Sequence, residues 1–442
     1  MARKSHLVHR LAEPVVALSF ADIPRDVVEK AKLVILHNLA VALGGVGTEQ
    51  VRIALQSIEP RVAGVTVIGS RIKATAEDAA FVNSILIRAL RMEDTIIPSF
   101  IHPGASLLPA ALAVGESYGA SGADLLAALI AGYDVLGRVA GTIWSWEHGH
   151  RTAHHVFGAF GVAAVAARLM RLDLDRTAAA LAYAADLGAM ITYGFEDFQY
   201  GVVTRNGLLA ARLGAVGAPF PDDALEGPYG FYATQLGGVP LAEHGVPDGL
   251  GRRFEIMSAV LKPHPCTALN LVPINMVRSE LRRTGRPGSE IKRIWIGRAR
   301  AAGRVPNIHN YGPFERRAGA SSAISSLPCA LAVLLTETEI TPRAFDQVND
   351  ERLAPIMAKI EIELVDGPGL LDHEVRIDLV GGETFRLSGG SEFLPQPDGR
   401  RLLEINGAPV IGREAVDRLV TAVATLESAP NLHEITVCLN PI

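Results

Sequence analysis

The stretch Leu261-Lys262-Pro263-His264-Pro265-Cys266 separates two kinds of pattern in this chain. Its prolines fix φ and disfavour helix in the residue before each, so the segment is stiff and extended. Ahead of it, from Pro24 to about Leu261, apolar residues recur at helical spacing in Ala- and Leu-rich runs broken by Gly, Pro and Asp. Behind it, Ile291-Lys-Arg-Ile-Trp-Ile296, Ala358-Lys-Ile-Glu-Ile-Glu-Leu364 and His373-Glu-Val-Arg-Ile-Asp-Leu379 alternate with period two, as half-buried strands do. The expected fold is mainly α with a smaller α+β domain. The helical domain is assigned to residues 1–266 and 396–442, and the α+β domain to 267–395.

Within the helical part, Pro24 after Asp22 opens a helix that Gly44-Gly45 closes, and Ser121-Gly-Ala-Asp124 opens another that runs to about Trp146. Further helices are expected at 75–90, 105–118, 155–171, 174–190 and 204–216, with a short strand at Val65-Thr-Val-Ile68. In the second part, Gly381-Gly382 between two alternating runs signals a hairpin. Helices are expected there at 267–283 and 318–336, and a last one at 413–426 returns to the helical domain.

With 442 residues, of which 49% are hydrophobic and 20% charged, the chain has ordinary globular usage and can bury a sizeable core. Two or three domains fit that length. Its 42 Lys plus Arg against 47 Asp plus Glu give a net charge of −5, which offers no bulk attraction for nucleic acid or anionic lipid. Neither partner is expected. Cys266, Cys329 and Cys438 are far apart and form no CxxC, so a reducing, cytoplasmic setting is expected rather than a disulfide framework. Glu13 and Pro14 interrupt the start before a secretory h-region can form. The longest apolar window, 123–146, contains Asp124, Asp134 and Arg138 and reads as a buried helix, not a membrane span.

Three segments could carry chemistry. In the first, Arg91-Met-Glu-Asp-Thr95 ends a helix and Ile101-His102-Pro-Gly opens the next. A loop histidine at a helix entrance can exchange protons near neutral pH and face an anion drawn to the helix N-terminus. A capping segment with a solvated histidine is the alternative. The second segment, Glu147-His-Gly-His-Arg-Thr-Ala-His-His155, has four histidines that could hold a metal, but their spacing is not a zincin signature. Proton transfer or carboxylate binding, or plain loop structure, is the stronger expectation there. The third is Lys262-Pro-His-Pro-Cys266, where stiffness can aim Lys262 at a substrate carboxylate or, if it is desolvated, let it serve as a base; the alternative is a solvated Lys262 in a rigid linker. Gly201-Val-Val-Thr-Arg-Asn-Gly207 lacks a phosphate-loop signature and reads as a site of close helix packing.

Taken in order, Glu-Asp-Thr95, His102-Pro-Gly-Ala-Ser-Leu-Leu-Pro, Ala131-Gly-Tyr-Asp-Val-Leu-Gly-Arg138, Gly158-Ala-Phe-Gly161 and Lys262-Pro-His-Pro-Cys resemble the MmgE/PrpD family, which includes 2-methylcitrate dehydratase, cis-aconitate decarboxylase and iminodisuccinate epimerase. The resemblance spans nearly the whole chain. It implies a large helical domain with a smaller α+β lid, a homodimer, and a site in the cleft between the domains. It also implies cofactor-free proton transfer at a carbon next to a carboxylate, with no metal required. Such chemistry needs cations to hold carboxylates and an acid and a base on the reacting centre. His102 and Lys262 fall on positions matching the family's catalytic motifs, with His155 as a further proton-transfer group.

Other positions depart from the family pattern. An acid of its Asp-x-Asp-Asp-Thr motif is Arg91 here, a histidine before Gly-x-x-Gly is Thr152, a lysine is Glu196, and a lid tyrosine of the decarboxylases is Gly303. The acid-to-Arg91 and lysine-to-Glu196 changes leave the charge sum unchanged, so the two side chains are expected to face each other across the pocket. Arg91, His154, Glu196 and Arg316 are the expected substrate-binding residues. The resulting expectation is a lyase or isomerase, dehydratase- or epimerase-like, acting on a small di- or tricarboxylate. An inactive family member that binds an anionic metabolite is the alternative, with a metal hydrolase built on His148, His150, His154 and His155 as the third reading.

Overall fold

Ser121 and Asp124 show how the helical pattern becomes structure. The Ser121 hydroxyl accepts from the Asp124 N–H at 3.1 Å, and the Asp124 carboxylate accepts from the Ser121 N–H at 3.2 Å. This reciprocal capping satisfies two end donors that the helix itself cannot. The helix it opens, Gly122–Gly141, is buried along nearly its whole length, as its apolar circumference requires.

The computed structural model describes residues 6–97, 99–141, 153–188, 196–235, 249, 251–299, 323–337, 339–345, 351–366, 369–394 and 398–442, without the side chains of 153 and 196. The chain divides into two units. One comprises Met1–Ala89, Glu93–Ala259 and Asp398–Ile442; the other comprises Leu90–Met92 and Val260–Pro397. The first unit holds α1 (Leu7–Ala17), α2 (Arg25–Gly44), α3 (Glu49–Gln56), α4 (Ala76–Arg88), α5 (Gly104–Tyr118), α6 (Gly122–Gly141), α7 (Ala153–Leu169), α8 (Leu174–Leu187), α9 (Glu196–Ala215) and α10 (Phe231–Gln235). Helices Gly399–Asn406, Arg413–Ala424 and His433–Cys438 complete it.

Helix α7 lies among α5, α6, α8 and α9. Small residues allow that crowding: a Cβ added at Gly161 would lie 2.8 Å from Leu136 Cβ and 3.0 Å from the Gly132 carbonyl of α6. On its other side, a Cβ at Gly207 of α9 would lie 2.5 Å from Val162 Cβ, so the glycine-flanked segment does serve close packing. Helix α9 begins at Glu196 rather than at 204. Gly201, read as a residue ahead of the helix, is inside it and packs on Phe81 of α4. The strand expected over 65–68 is shortened to β1 (Val65–Thr66), paired antiparallel with β2 (Lys73–Ala74). It ends there because the Ile68 N–H turns instead to Asn83 Oδ1 at 2.9 Å. Two more two-residue strands are β3 (Thr95–Ile96) and β4 (Ala259–Val260).

The second unit is built on a four-stranded sheet of β5 (Ile291–Ala299), β6 (Ile360–Val365), β7 (His373–Leu379) and β8 (Thr384–Gly389), in the order β6-β5-β7-β8. Strand β5 pairs parallel with β6 (Ile294↔Ile360) and antiparallel with β7 (Ile294↔Ile377), which pairs antiparallel with β8 (Ile377↔Phe385). Between β7 and β8 the chain turns at Gly381-Gly382, where Gly382 has φ 89°, a left-handed conformation that glycine adopts without Cβ strain. Parallel pairing requires a crossover, and helix α12 (Leu327–Glu337) lies between β5 and β6 in the chain. Ile291, Ile294, Ile296, Val375 and Ile377 share one core with Leu271, Val272 and Met276 of α11 (Leu271–Thr284) and with Leu331 and Leu334 of α12. Cys266 packs into the same core, within the unit that resumes at Val260. No single helix among the described residues is long and apolar enough to cross a membrane.

Candidate active site

The turn after α4 gathers the polar groups of the helical unit. Arg91 and Phe100 have positive φ values of 52° and 51°, a backbone region that bulky side chains rarely enter and that clusters at functional sites. Ile96 donates its N–H to the Ile101 carbonyl at 3.0 Å, closing the loop. His102 is thereby folded back onto Glu93, Asp94 and Thr95.

All three face Nδ1 of His102: Thr95 Oγ1 at 2.5 Å, the Asp94 carbonyl at 3.2 Å and Glu93 Oε1 at 3.3 Å. A carbonyl and a carboxylate can only accept, so Nδ1 carries a proton and the lone pair of the neutral ring is on Nε2. The His102 side chain keeps 16% of its surface exposed, whereas Glu93 is fully buried. Glu93 is held by Arg88 of α4, Nη1 to Oε1 at 2.5 Å, and the Arg88 guanidinium lies 4.6 Å above the Tyr200 ring. Such burial is sustainable for a charge pair because each member compensates the other.

Asp94 is the anchor beneath the histidine. Its carboxylate accepts from the Tyr133 hydroxyl at 2.8 Å, from Asn38 Nδ2 at 3.0 Å and from the Gly104 N–H at 3.0 Å. The last bond caps α5, whose entry Pro103 has no capping side chain of its own. Only glycine fits at 104, because a Cβ there would lie 2.1 Å from Asp94 Oδ1. Burial raises the Asp94 carboxyl above its ordinary value against the pull of these donors, and burial together with Asp94 pushes the Tyr133 phenol well up. Lys30, half-buried, is lowered by burial while Asp94 opposes the shift, and it donates to the Ala259 carbonyl at 2.7 Å.

His154 and His155 leave the first turn of α7 and are both buried. The Tyr200 ring of α9 stacks on His154 at 4.3 Å and meets His155 edge-on at 5.3 Å. His154 Nε2 is 2.9 Å from Ser106 Oγ, and its Nδ1 accepts from the main-chain N–H of His102 at 3.3 Å. The structure thus brings His102, His154 and His155 into one cluster.

The remaining expected residues belong to the second unit or lie outside the described residues. Lys262 is buried in the second unit, 1% exposed. Nearby His264 is fully buried and lowered to about 3 by burial, then by Arg278 and Lys262. Arg91 belongs to the second unit with Leu90 and Met92. The Glu196 side chain lies outside the described residues, as do Arg316, His148, His150, Thr152 and Gly303. Among the described residues, no group of three or more His, Cys, Asp or Glu is arranged to hold a metal. Sequence reading missed Arg88, Asn38, Ser106 and Tyr200. Tyr133 stood inside a quoted motif, but its role as donor to Asp94 had no signal in local spacing.

Comparison with known proteins gives this cluster a setting. The MmgE/PrpD N-terminal domain model matches residues 9–244, more than half the chain. Cis-aconitate decarboxylase of Aspergillus terreus is 28% identical over 368 residues, covering 76% of this chain and 73% of that protein. Cis-aconitate decarboxylase of Mus musculus is 27% identical over 446 residues, covering 93% and 88%. A cis-aconitate decarboxylase-like protein of Aspergillus oryzae is 28% identical over 285 residues, and the match spans 59% of its length. With the family model covering the segment that builds the His102 cluster, the chain belongs to the MmgE/PrpD family.

Proposed function

We propose that the protein is a cofactor-independent lyase or isomerase acting on a small di- or tricarboxylate by proton transfer at the carbon next to a carboxylate. The observation that carries this is the grip on His102 Nδ1 by Thr95, the Asp94 carbonyl and Glu93, which leaves Nε2 as the base. Nε2 removes the α-proton, and the C–H electron pair passes into an enolate-like carboxylate. The imidazolium so formed is stabilised by the buried Glu93 carboxylate, which Arg88 holds in place.

From that intermediate, expulsion of a β-hydroxyl, taking a proton from an acid, gives an alkene and water. Return of a proton to the opposite face gives the epimer. Lys262 is assigned as the carboxylate clamp or second proton-transfer group, supported by its match to the family's lysine motif and by its burial. His155 and Arg91 are assigned as proton-relay or binding residues, with Glu196 and Arg316 in the binding set. We also place the protein as a homodimer in the cytoplasm. That placement rests on the family resemblance and on three buried cysteines that form no disulfide.

The names of the relatives favour a second outcome, loss of CO₂. Gly303 in place of the decarboxylases' tyrosine and Thr152 in place of a histidine weigh against it. The test is product analysis by NMR on a panel of citrate-, methylcitrate- and aconitate-like acids. One of them should lose water or epimerise, and His102→Asn and Lys262→Met should each lower that turnover at least about 100-fold, the usual worth of an acid–base group. Binding without turnover across the panel would leave the chain a metabolite-binding protein, and CO₂ release would establish the decarboxylase outcome.

A further inference from the structure

Both ring nitrogens of His154 are committed to protein groups. Nδ1 accepts from the His102 main-chain N–H at 3.3 Å, and Nε2 is 2.9 Å from Ser106 Oγ in the first turn of α5. An N–H only donates, so Nδ1 must keep its lone pair. The proton is then on Nε2, which donates it to Ser106. An imidazolium would aim a second N–H at the His102 amide and break the contact.

We propose that His154 is a positioning residue: a permanently neutral imidazole that clamps the His102 main chain to the first turn of α5 and so fixes where the His102 ring stands. This rests on His102 being the base, as proposed above. The slot for the ring is built closely. Tyr200 stacks on it with an interplanar angle of 16°, and a Cβ at Gly158, one turn along α7, would lie 3.0 Å from its Nε2. The charged and titratable groups facing it are His102 and Glu93 on the loop, His155 on its own helix, Arg88 on α4 and Tyr200 on α9. Burial, then His102, His155 and Arg88, hold its pKa well below the ordinary histidine value, with only Glu93 opposing. A relay role would need its ring to reach the His102 ring, but the two centroids are 6.5 Å apart and the bond is to the amide.

Nitrogen-15 NMR of histidine-labelled protein tests this without any substrate. The expected result is an unprotonated Nδ1 and a protonated Nε2 on His154 from pH 5 to pH 8. Titration within that range would overturn the proposal. The kinetic arm uses two variants. His154→Phe keeps the stack on Tyr200 and loses the acceptor, so kcat should fall roughly 100-fold with KM within about threefold, as expected for a misplaced base. His154→Asn restores an oxygen near the Nδ1 position and should recover at least about tenfold of that loss, with the acid limb of the kcat/KM profile where wild type has it. Equal loss in both variants, or wild-type activity in the Phe variant, would also overturn it. Should no carboxylate be turned over at all, the function reading fails. The NMR tautomer, and a His102 amide shift that moves in His154→Phe but not in His154→Asn, still decide the positioning role.

Discussion

The polar groups beneath His102 in the helical unit and two buried histidines of the α+β unit are held differently. In the helical unit Asp94 is surrounded by three donors, and His154 is held at both nitrogens. In the α+β unit His264 and His373 each face one carbonyl, Pro265 at 3.4 Å and Leu371 at 2.6 Å, while Nε2 of each has no hydrogen-bond partner among the described residues. Several bonds fix a side chain in one place, whereas an imidazole at the end of one bond is merely kept neutral. The positioning proposed for His102 uses the first arrangement. The second adds a further cost to stability as the pH falls.

The largest test of that contrast is Asp94→Ala. It strands the Tyr133 hydroxyl, the Asn38 amide and the Gly104 N–H together, and should lower stability by at least about 3 kcal/mol in denaturant unfolding. His373→Leu, which removes one hydrogen bond, should cost about 1 kcal/mol. Equal losses would erase the distinction between the units.

A pH series separates them next. His264 and His373 lie at about 3 in the folded chain, below the ordinary 6.5. Their contribution is complete above pH 6.5 and is lost as pH falls toward 3, so the protection of β7 amides relative to their intrinsic exchange rates should fall over that window. Asp134 of the helical unit has the opposite sign, raised to about 7, chiefly by burial. Its contribution is complete below pH 3.8 and is lost as pH rises through 7. Asp134→Asn, which imitates the protonated acid, should therefore stabilise the protein at pH 8 by on the order of 1–3 kcal/mol and leave it unchanged near pH 4. The same gain at both pH values would contradict the sign.

Smaller effects sharpen the comparison at the surface. Ser121→Ala removes half of the capping of α6 and should cost about 1 kcal/mol in thermal unfolding. The exposed Arg286–Glu383 pair of the α+β unit, 2.8 Å apart, should show no more than about 0.5 kcal/mol of coupling in a double-mutant cycle.

The units also differed in how legible they were. Helix α6 announced itself through Ser121 and Asp124, and the strands of the sheet through strict alternation, because both signals are local. The start of α9 did not, since Glu196-Asp-Phe-Gln-Tyr-Gly201 is polar and glycine-ended until α4 is present to pack on it. His102 was legible from its place before Pro-Gly and a helix. Asn38, Tyr133 and Tyr200 were not, because α2, α6 and α9 bring them to the loop from distant parts of the chain and no spacing rule links them; Ser106 lies close by in sequence, but its bonding partner His154 of α7 does not. Arg88 sat within reach of Glu93 in sequence, but their pairing depends on the turn at Arg91.

The central claim is that His102 Nε2 removes a proton from carbon next to a carboxylate, and its most direct test is solvent deuterium wash-in. Wild-type protein in deuterated buffer should place deuterium at the α-carbon of one member of the carboxylate panel, and His102→Asn should slow that exchange at least about 100-fold. Exchange at the wild-type rate in His102→Asn, or turnover of a substrate with no α-carbon exchange in either protein, would contradict it.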